Sequence, residues 1–250
     1  MSAATALDQS ESMRAIAESW APQQTLRWAF ETYGHDIAIA SAFGPEGIVV
    51  LDMCANVKRD FRVFIVDTGY LFPETLELAR KVELRYGIHI ERVEAPVSTD
   101  QQNDLHGPHL WTTDPDRCCQ VRKLDPLRTK LSELRAWVTA IRRDQTPARK
   151  NAGRIQWDAI FNLVKVNPLL DWTEEKVWNY IREHRLDYNP LHDRNYSSIG
   201  CVHCTRPVQA GESSRAGRWS GFTKSECGFH STSEPDRRSP LVRLSNGESK

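Results

Sequence analysis

Residues 36–54 read Asp36-Ile37-Ala38-Ile39-Ala40-Ser41-Ala42-Phe43-Gly44-Pro45-Glu46-Gly47-Ile48-Val49-Val50-Leu51-Asp52-Met53-Cys54. Residues 36–41 combine β-branched and small side chains between turn signals and predict a strand. The loop 41–47 follows, and the apolar run 48–54 suits a buried helix. The alternation then repeats. Residues 62–66 predict a second strand, ending in Asp67-Thr68-Gly69-Tyr70. Residues 73–86 have helical periodicity and open on Pro73, a residue suited to a first helical turn. Residues 88–93 predict a third strand. Strand, helix, strand, helix, strand argues for an α/β fold with a parallel, twisted sheet covered by helices on both faces. In such sheets ligands bind at the carboxyl ends of strands. The loops after Ala40 and after Val66 both fall there, although ordinary connections would read the same way.

Upstream, residues 9–33 are helical in pattern and Gly34 suits a C-terminal cap. Downstream, residues 137–142 and 161–166 predict two further strands. Thr173 can cap a helix running to about residue 184. From residue 189 the chain is rich in Gly, Ser, Pro and Arg with little periodicity, so it predicts loop held by something other than a core. The stretch after residue 230 reads as a mobile tail. No internal repeat is visible.

At 250 residues the chain is long enough for one large domain with its own core, and a 40% hydrophobic fraction with eight Trp argues against disorder throughout. Lys plus Arg equals Asp plus Glu at 33 each, which argues against an electrostatically driven nucleic-acid binder. No apolar run reaches the ~18 residues that suggest a membrane span. The first twenty residues lack the apolar core of a secretory signal. The expectation is a cytoplasmic protein in a reducing compartment, whose cysteines are metal ligands, catalytic thiols or core residues before they are disulfides.

Five of the six cysteines fall into three groups: the adjacent pair Cys118-Cys119, the pair in Cys201-Val202-His203-Cys204, and Cys227 alone. Cys54 sits in the apolar run and reads as core. A lone Cys-x-x-Cys can be a redox pair or half a metal site. With the second pair it makes a four-thiolate set, which both zinc and iron–sulfur clusters accept. Neighbouring helical residues diverge by about 100 degrees at ~3.6 residues per turn, so adjacent thiolates reach one ion awkwardly. Separate iron atoms of a [4Fe-4S] cluster suit them better, which favours the cluster over zinc. A vicinal or long-range disulfide is the remaining structural reading. Cys227 lies outside the ligand count, with Lys224 and His230 nearby as cationic groups that lower a thiol pKa. Its local chemistry equally fits an exposed thiol with no role.

These residues together resemble the sulfonucleotide reductases, and within them the iron–sulfur adenosine 5′-phosphosulfate (APS) reductases, over roughly residues 36–230. The stretch Lys224-Ser225-Glu226-Cys227-Gly228-Phe229-His230 is similar to that family's KxECGxH signature. The two cysteine pairs are similar to its cluster ligands, and Asp67-Thr68-Gly69-Tyr70-Leu71-Phe72-Pro73-Glu74-Thr75 fits it as well. The loop 41–47 resembles the family's modified pyrophosphate loop. It departs from the Ser-Gly-Gly-x-Asp-Ser loop of related ATP pyrophosphatases, which implies nucleotide binding without ATP cleavage.

The resemblance implies an adenine nucleotide alpha-hydrolase-like fold of the ATP-pyrophosphatase superfamily. It implies an N-terminal helical region at 1–34, a nucleotide-binding α/β domain with the iron–sulfur site at 35–210, and a mobile catalytic segment at 211–250. The implied reaction reduces APS to sulfite and AMP, in sulfate assimilation and cysteine biosynthesis. Cys227 would be the nucleophile, and thioredoxin or a glutaredoxin-like dithiol the reductant. Cys118, Cys119, Cys201 and Cys204 would hold a [4Fe-4S] cluster. Lys123 would link cluster and substrate, and His230 would orient or protonate near Cys227. Arg215 and Arg218 would grip the phosphosulfate, and Arg143 would make another substrate contact. Ser41, Phe43 and Gly44 would meet phosphate or ribose, and Asp67, Thr68 and Gly69 would shape the adenosine pocket. A homo-oligomer acting without nucleic acid or membrane is expected. Reduction of the 3′-phosphorylated nucleotide (PAPS), alone or alongside APS, is the nearest alternative. An ATP-dependent ligase or thiolase of the same superfamily and a zinc-stabilised nucleic-acid-binding module are more distant ones.

Overall fold

The computed structural model describes residues 3–222 and residue 224 of the chain. The first helical stretch divides in two, α1 (Ala3–Ala17) and α2 (Pro22–Tyr33), where the sequence pattern predicts one. The cause is Pro22, which lacks an N–H and pushes its predecessor out of helical space. Ala21 is accordingly extended, at φ −67° and ψ 154°. Gly34 ends α2 with a positive φ of 57°.

The predicted alternation follows as β1 (Ile37–Ala40), α3 (Pro45–Val57), β2 (Arg62–Asp67), α4 (Pro73–Tyr86) and β3 (Ile90–Glu94). Four short helices come next: α5 (Thr99–His106), α6 (Leu110–Thr113), α7 (Pro115–Cys119) and α8 (Asp125–Leu131). A π-helical turn, Gln120–Leu124, joins α7 to α8; such turns concentrate at functional sites. The rest of the sheet is β4 (Ala136–Val138), β5 (Ile155–Asp158) and β6 (Leu163–Val166), followed by α9 (Glu174–Glu183). The Thr173 hydroxyl accepts from Lys176 N at 3.2 Å and caps α9 as expected.

The six strands lie in the order β3-β2-β1-β4-β6-β5. All pairings are parallel except β5 against β6. Strand side chains alternate between the two faces. Ile37, Ile39, Val63, Ile65, Ala136 and Val138 enter one core with Leu26 and Phe30 of α2, Val49, Val50 and Leu51 of α3, and Val177 of α9. Ala38, Phe64 and Trp137 enter the other, against Leu127 and Leu131 of α8. Because α2 shares the first core, residues 22–33 pack as part of the same body as the sheet.

The chain runs outward from β1 through β2 to β3, then returns to β4 on β1's other side. The carboxyl ends of β1 and β4 therefore flank a topological switch point, where such sheets open a crevice for ligands. β4 is shorter than the predicted 137–142 because the chain leaves the sheet there: Thr139 and Ala140 line the crevice instead. Among the described residues no helix is long and apolar enough to cross a membrane.

Candidate functional site

The crevice is a cavity of about 220 Å³ at the switch point. Ser41, Ala42 and Gly44 of the β1–α3 loop line it, with Thr68 after β2, Thr139 after β4, and Lys123, Arg215, Arg218 and Trp219. The loop's shape follows from its residues. Ser41 Oγ accepts from Phe43 N at 3.1 Å. Phe43 takes a positive φ of 56°, which bulky residues adopt rarely. A side chain at Gly47 would bring a Cβ within 2.8 Å of Ser41 Oγ, so only glycine lets α3 start this close to the strand end. Free N–H groups at that helix start favour an anion.

Two loop expectations need correction. Phe43 does not face the cavity: its ring is 1% exposed and belongs to the core, so its contribution is the backbone turn. Asp67 and Gly69 also stand off the cavity and build the turn after β2. Asp67 Oδ1 accepts from Gly69 N at 2.9 Å, while its other oxygen is ion-paired to Arg92. A Cβ at Gly69 would lie 3.0 Å from Arg122 Nη2. Of the three residues 67–69, Thr68 alone lines the cavity.

Arg143 is not brought to the cavity. Its guanidinium is held by Glu18 at 2.6 Å, by Asp171, and by the carbonyl of Ala152. These partners turn it toward α1, away from the switch point. Gln145 and the buried Arg149 line the cavity from the same segment. Glu46 lines it too and is paired with buried Arg142 at 3.1 Å. No pattern in the sequence separates Arg149 from its neighbours Arg142 and Arg143.

Arg215 and Arg218 do reach the cavity, steadied by Ser198. Their Nη1 atoms lie 3.4 and 3.3 Å from the Ser198 hydroxyl. Gly200 permits this: a Cβ there would sit 2.3 Å from Arg218 Nη2. Arg218 also lies over the Trp219 ring at 4.4 Å. Its Nε is buried without a hydrogen-bond partner among the described residues.

Beside this cavity is a second, smaller chamber. Cys118, Cys119, Cys201 and Cys204 line it with Tyr70, Trp111, Arg122, Lys123 and His203. Lys123 lines both spaces and so joins them. Cys118 and Cys119 end α7, and the π-helical turn presents Lys123 beside them. Cys201 and Cys204 come from the loop region, which backbone pairing holds in place. Leu71 pairs with Cys201, Thr205 with Arg218, and Trp219 N donates to Cys204 O at 3.1 Å. Thr68 Oγ1 lies 3.3 Å from Cys201 Sγ.

All five described cysteines carry free thiols. Burial, and then the neighbouring Cys119, Cys201 and Cys204, push the Cys118 thiol up to about 12. Burial and Cys201 push Cys204 up to about 11, with Lys123 opposing. Cys54 is raised by burial alone, as a core thiol should be. The chamber thus gathers four sulfurs that repel one another once ionised. Cys227 and His230 lie outside the described residues. Lys224, three residues before Cys227, is seated against α7, ion-paired to Asp116.

A nucleotide-sized crevice at the switch point of a mostly parallel sheet, with cations from three segments and a four-cysteine chamber at its side, defines a nucleotide-binding α/β protein with a thiol-rich centre. The chain belongs to the phosphoadenosine phosphosulfate reductase domain family, whose model matches residues 36–207. It is 44% identical to a Salinibacter ruber protein named adenosine 5′-phosphosulfate reductase, covering 90% of this chain and 89% of that one. It is 45% identical to adenosine 5′-phosphosulfate reductase 2 of Bacillus subtilis, covering 82% and 87%. Among solved structures it is similar to a phosphoadenylyl-sulfate reductase from Candida auris in complex with phosphate, with TM-score 0.68, 29% identity and coverage of 80% and 97%. A Candida glabrata FMN adenylyltransferase shares the fold alone, with TM-score 0.55 and 14% identity. The mostly parallel six-stranded sheet flanked by helices is the expected fold class, and the phosphoadenylyl-sulfate reductase structure shares it.

Proposed function

We propose that this protein is an adenylyl-sulfate reductase of sulfate assimilation, acting in the cytoplasm with a thioredoxin-type dithiol as reductant. The relatives' names support this reading. The structural observation that carries it is the position of Lys123, on the wall of both the nucleotide cavity and the four-cysteine chamber. Such a residue belongs to an enzyme in which a metal group and an anionic substrate act side by side.

Cys118, Cys119, Cys201 and Cys204 would hold a [4Fe-4S] cluster. The donor set fits it. Four buried thiols line one chamber. A cluster offers separate irons to separate thiolates. The Tyr70 hydroxyl, buried on the chamber wall with no hydrogen-bond partner among the described residues, and the Thr68 hydroxyl at Cys201 Sγ supply polar contacts of the kind that surround metal centres. When bound, the cluster supplies a local field that steadies Lys123 beside the substrate.

The nucleotide's phosphosulfate would lie between the Ser41–Gly44 loop and the cations Lys123, Arg215 and Arg218. The Cys227 thiolate attacks the sulfate sulfur, the sulfur–oxygen bond to phosphate breaks, and AMP leaves. Negative charge grows on the AMP phosphate, where Arg215 and Arg218 stand. The enzyme retains a Cys227 S-sulfonate. One thiolate of the reductant attacks Cys227 Sγ and releases sulfite. Its second thiol resolves the mixed disulfide, so both electrons come from the dithiol. His230 is assigned to orienting or protonating near Cys227.

The test is anaerobic purification with iron and sulfide analysis, then turnover of APS and of PAPS with thioredoxin. Sulfite release from APS supports the reading, preference for PAPS replaces the substrate assignment, and no turnover of either overturns it. Cys227→Ser should abolish the covalent intermediate and leave the brown colour.

A further inference from the structure

The chamber's outer wall is aromatic. Trp111 and His203 stack face to face, with centroids 3.9 Å apart and planes within 7°. Tyr70 meets both edge-on at 5.1 Å, and His109 meets Trp111 edge-on at 5.0 Å. The four rings come from separate places: the turn after β2, residues on either side of the α6 start, and the interior of the Cys201–Cys204 pair. Contacts between rings of such different origin are tertiary, and aromatic pairs of this kind stabilise beyond their burial. Tyr70, Trp111 and His203 line the chamber together with the four cysteines.

His203 sits inside a Cys-x-x-Cys pair, a position from which imidazole could serve as a metal ligand. Instead its ring is laid flat against Trp111. It is solvent-exposed on its other side, whereas Trp111 beneath is only half-exposed. The stack therefore stands where the chamber wall meets solvent, with both rings on that wall. The shell around a metal centre governs how easily solvent reaches it.

We infer that the Trp111–His203 stack, braced by Tyr70, is a shutter over the four-cysteine chamber. Its role is to keep water, dioxygen and chelators from the metal group while leaving the Lys123 side open to the nucleotide. This rests on the cluster reading above. The stack is a protective and positioning device, not part of the sulfur chemistry.

The test uses the full chain purified anaerobically with its cluster. Iron and sulfide are measured first for the parent and for His203→Ala, His203→Phe and Trp111→Phe. Two rates are then followed: loss of the brown visible absorbance in air-saturated buffer, and iron transfer to a ferrous chelator without oxygen. His203→Ala should accelerate both by about tenfold, the lower end of the effect expected from outer-shell changes. His203→Phe, which keeps a flat ring for Trp111, should stay within about twofold of the parent, and Trp111→Phe should fall between. His203 is exposed, so its variants should fold, and far-ultraviolet circular dichroism verifies this. Equal rates for parent and His203→Ala, at equal iron content, overturn the shutter and leave the cluster reading intact. Absence of iron and sulfide from the parent overturns both.

Discussion

Lys224 is ion-paired to Asp116, two residues before Cys118. The ammonium also meets the carbonyl of Pro115 at 3.4 Å and lies 5.4 Å from the Trp219 ring centroid. Its side chain is 7% exposed. Burial alone would lower its pKa, but the Cys119 sulfur and the Asp116 carboxylate more than reverse this and hold it above the usual lysine value. The segment carrying Cys227 thus begins from a fixed post on α7, beside the cysteine chamber.

That pair should matter to catalysis more than to stability. Asp116→Asn takes the carboxylate from a buried ammonium and leaves it the Pro115 carbonyl, the Cys119 sulfur and the Trp219 ring, which weakens docking of the segment. A loss of about 1.4 kcal/mol would cut the docked population about tenfold. The expected outcome is a comparable fall in the single-turnover rate of S-sulfonate formation, with iron content and melting temperature unchanged. A charge swap, Asp116→Lys with Lys224→Asp, should recover part of the rate. An unchanged rate in Asp116→Asn would remove the pair from the mechanism.

Two glycines should separate binding from folding. Gly200→Ala places a Cβ 2.3 Å from Arg218 Nη2, the far end of a flexible side chain. The guanidinium can swing away, so the fold survives while a charge-assisted contact to the nucleotide is lost. Such contacts contribute about 1.5–3 kcal/mol, so calorimetry should find APS binding weakened about tenfold or more. Gly217→Ala meets a backbone atom instead, the Arg206 carbonyl oxygen at 2.2 Å. Backbone cannot swing aside, so this variant should lose stability and iron together.

How much of this was legible in the sequence depended on whether the signal was local. The strands at 37–40 and 62–67 and the helix at 73–86 show themselves through side-chain composition and periodicity and, for the helix, through Pro73 at its start. β5, Ile155-Gln156-Trp157-Asp158, mixes polar and apolar residues because it is an antiparallel edge strand, and nothing local marks it. The helices between residues 99 and 131 are short and interrupted by a π-helical turn, so no single period runs through them. The cysteine pairs could be read as a set because spacing carries their chemistry, and the structure gathers them in one chamber. Which arginine faces the cavity could not be read. Arg143 is diverted by Glu18 and Asp171, partners 125 and 28 residues away, while Arg149 reaches the cavity. Phe43 was legible as a loop residue, but only the positive φ reveals that its ring turns inward.

Loading the chamber should release protons. Burial and the neighbouring sulfurs hold Cys118 near 12 and Cys204 near 11, so both are protonated in the metal-free protein at pH 8. Binding iron requires thiolates, so reconstitution must expel those protons. Hydrosulfide also gives up its proton on becoming cluster sulfide, so a pH indicator in weak buffer should record at least these two protons per chain beyond those that the consumed hydrosulfide supplies. Reconstitution should proceed more readily at pH 8.5 than at pH 6.5. Proton release equal to the hydrosulfide contribution alone would contradict this assignment of the ligands.

The last prediction concerns the frame behind the loop. Buried Asp52 on α3 accepts from Tyr86 Oη at 2.9 Å and Tyr180 Oη at 2.8 Å, tying α3 to α4 and α9. Burial and the Asp52 charge raise both tyrosines above their usual value. Asp52→Ala takes the acceptor from two half-buried hydroxyls, a loss of about 3 kcal/mol. For a chain of this size that should lower the melting temperature by about 6–12 °C. The pH dependence has a definite sign. Above the ordinary tyrosine pKa of about 10, the unfolded chain gives up phenol protons that the folded chain keeps. The folded state then binds more protons, so stability falls as pH rises. The contribution is complete below about pH 10 and is lost progressively above it, through the raised folded values. Urea unfolding from pH 8 to 11 should show that decline, with a shallower slope in Tyr86→Phe and Tyr180→Phe. A slope unchanged in both variants would show that these phenols do not carry the alkaline sensitivity of the fold.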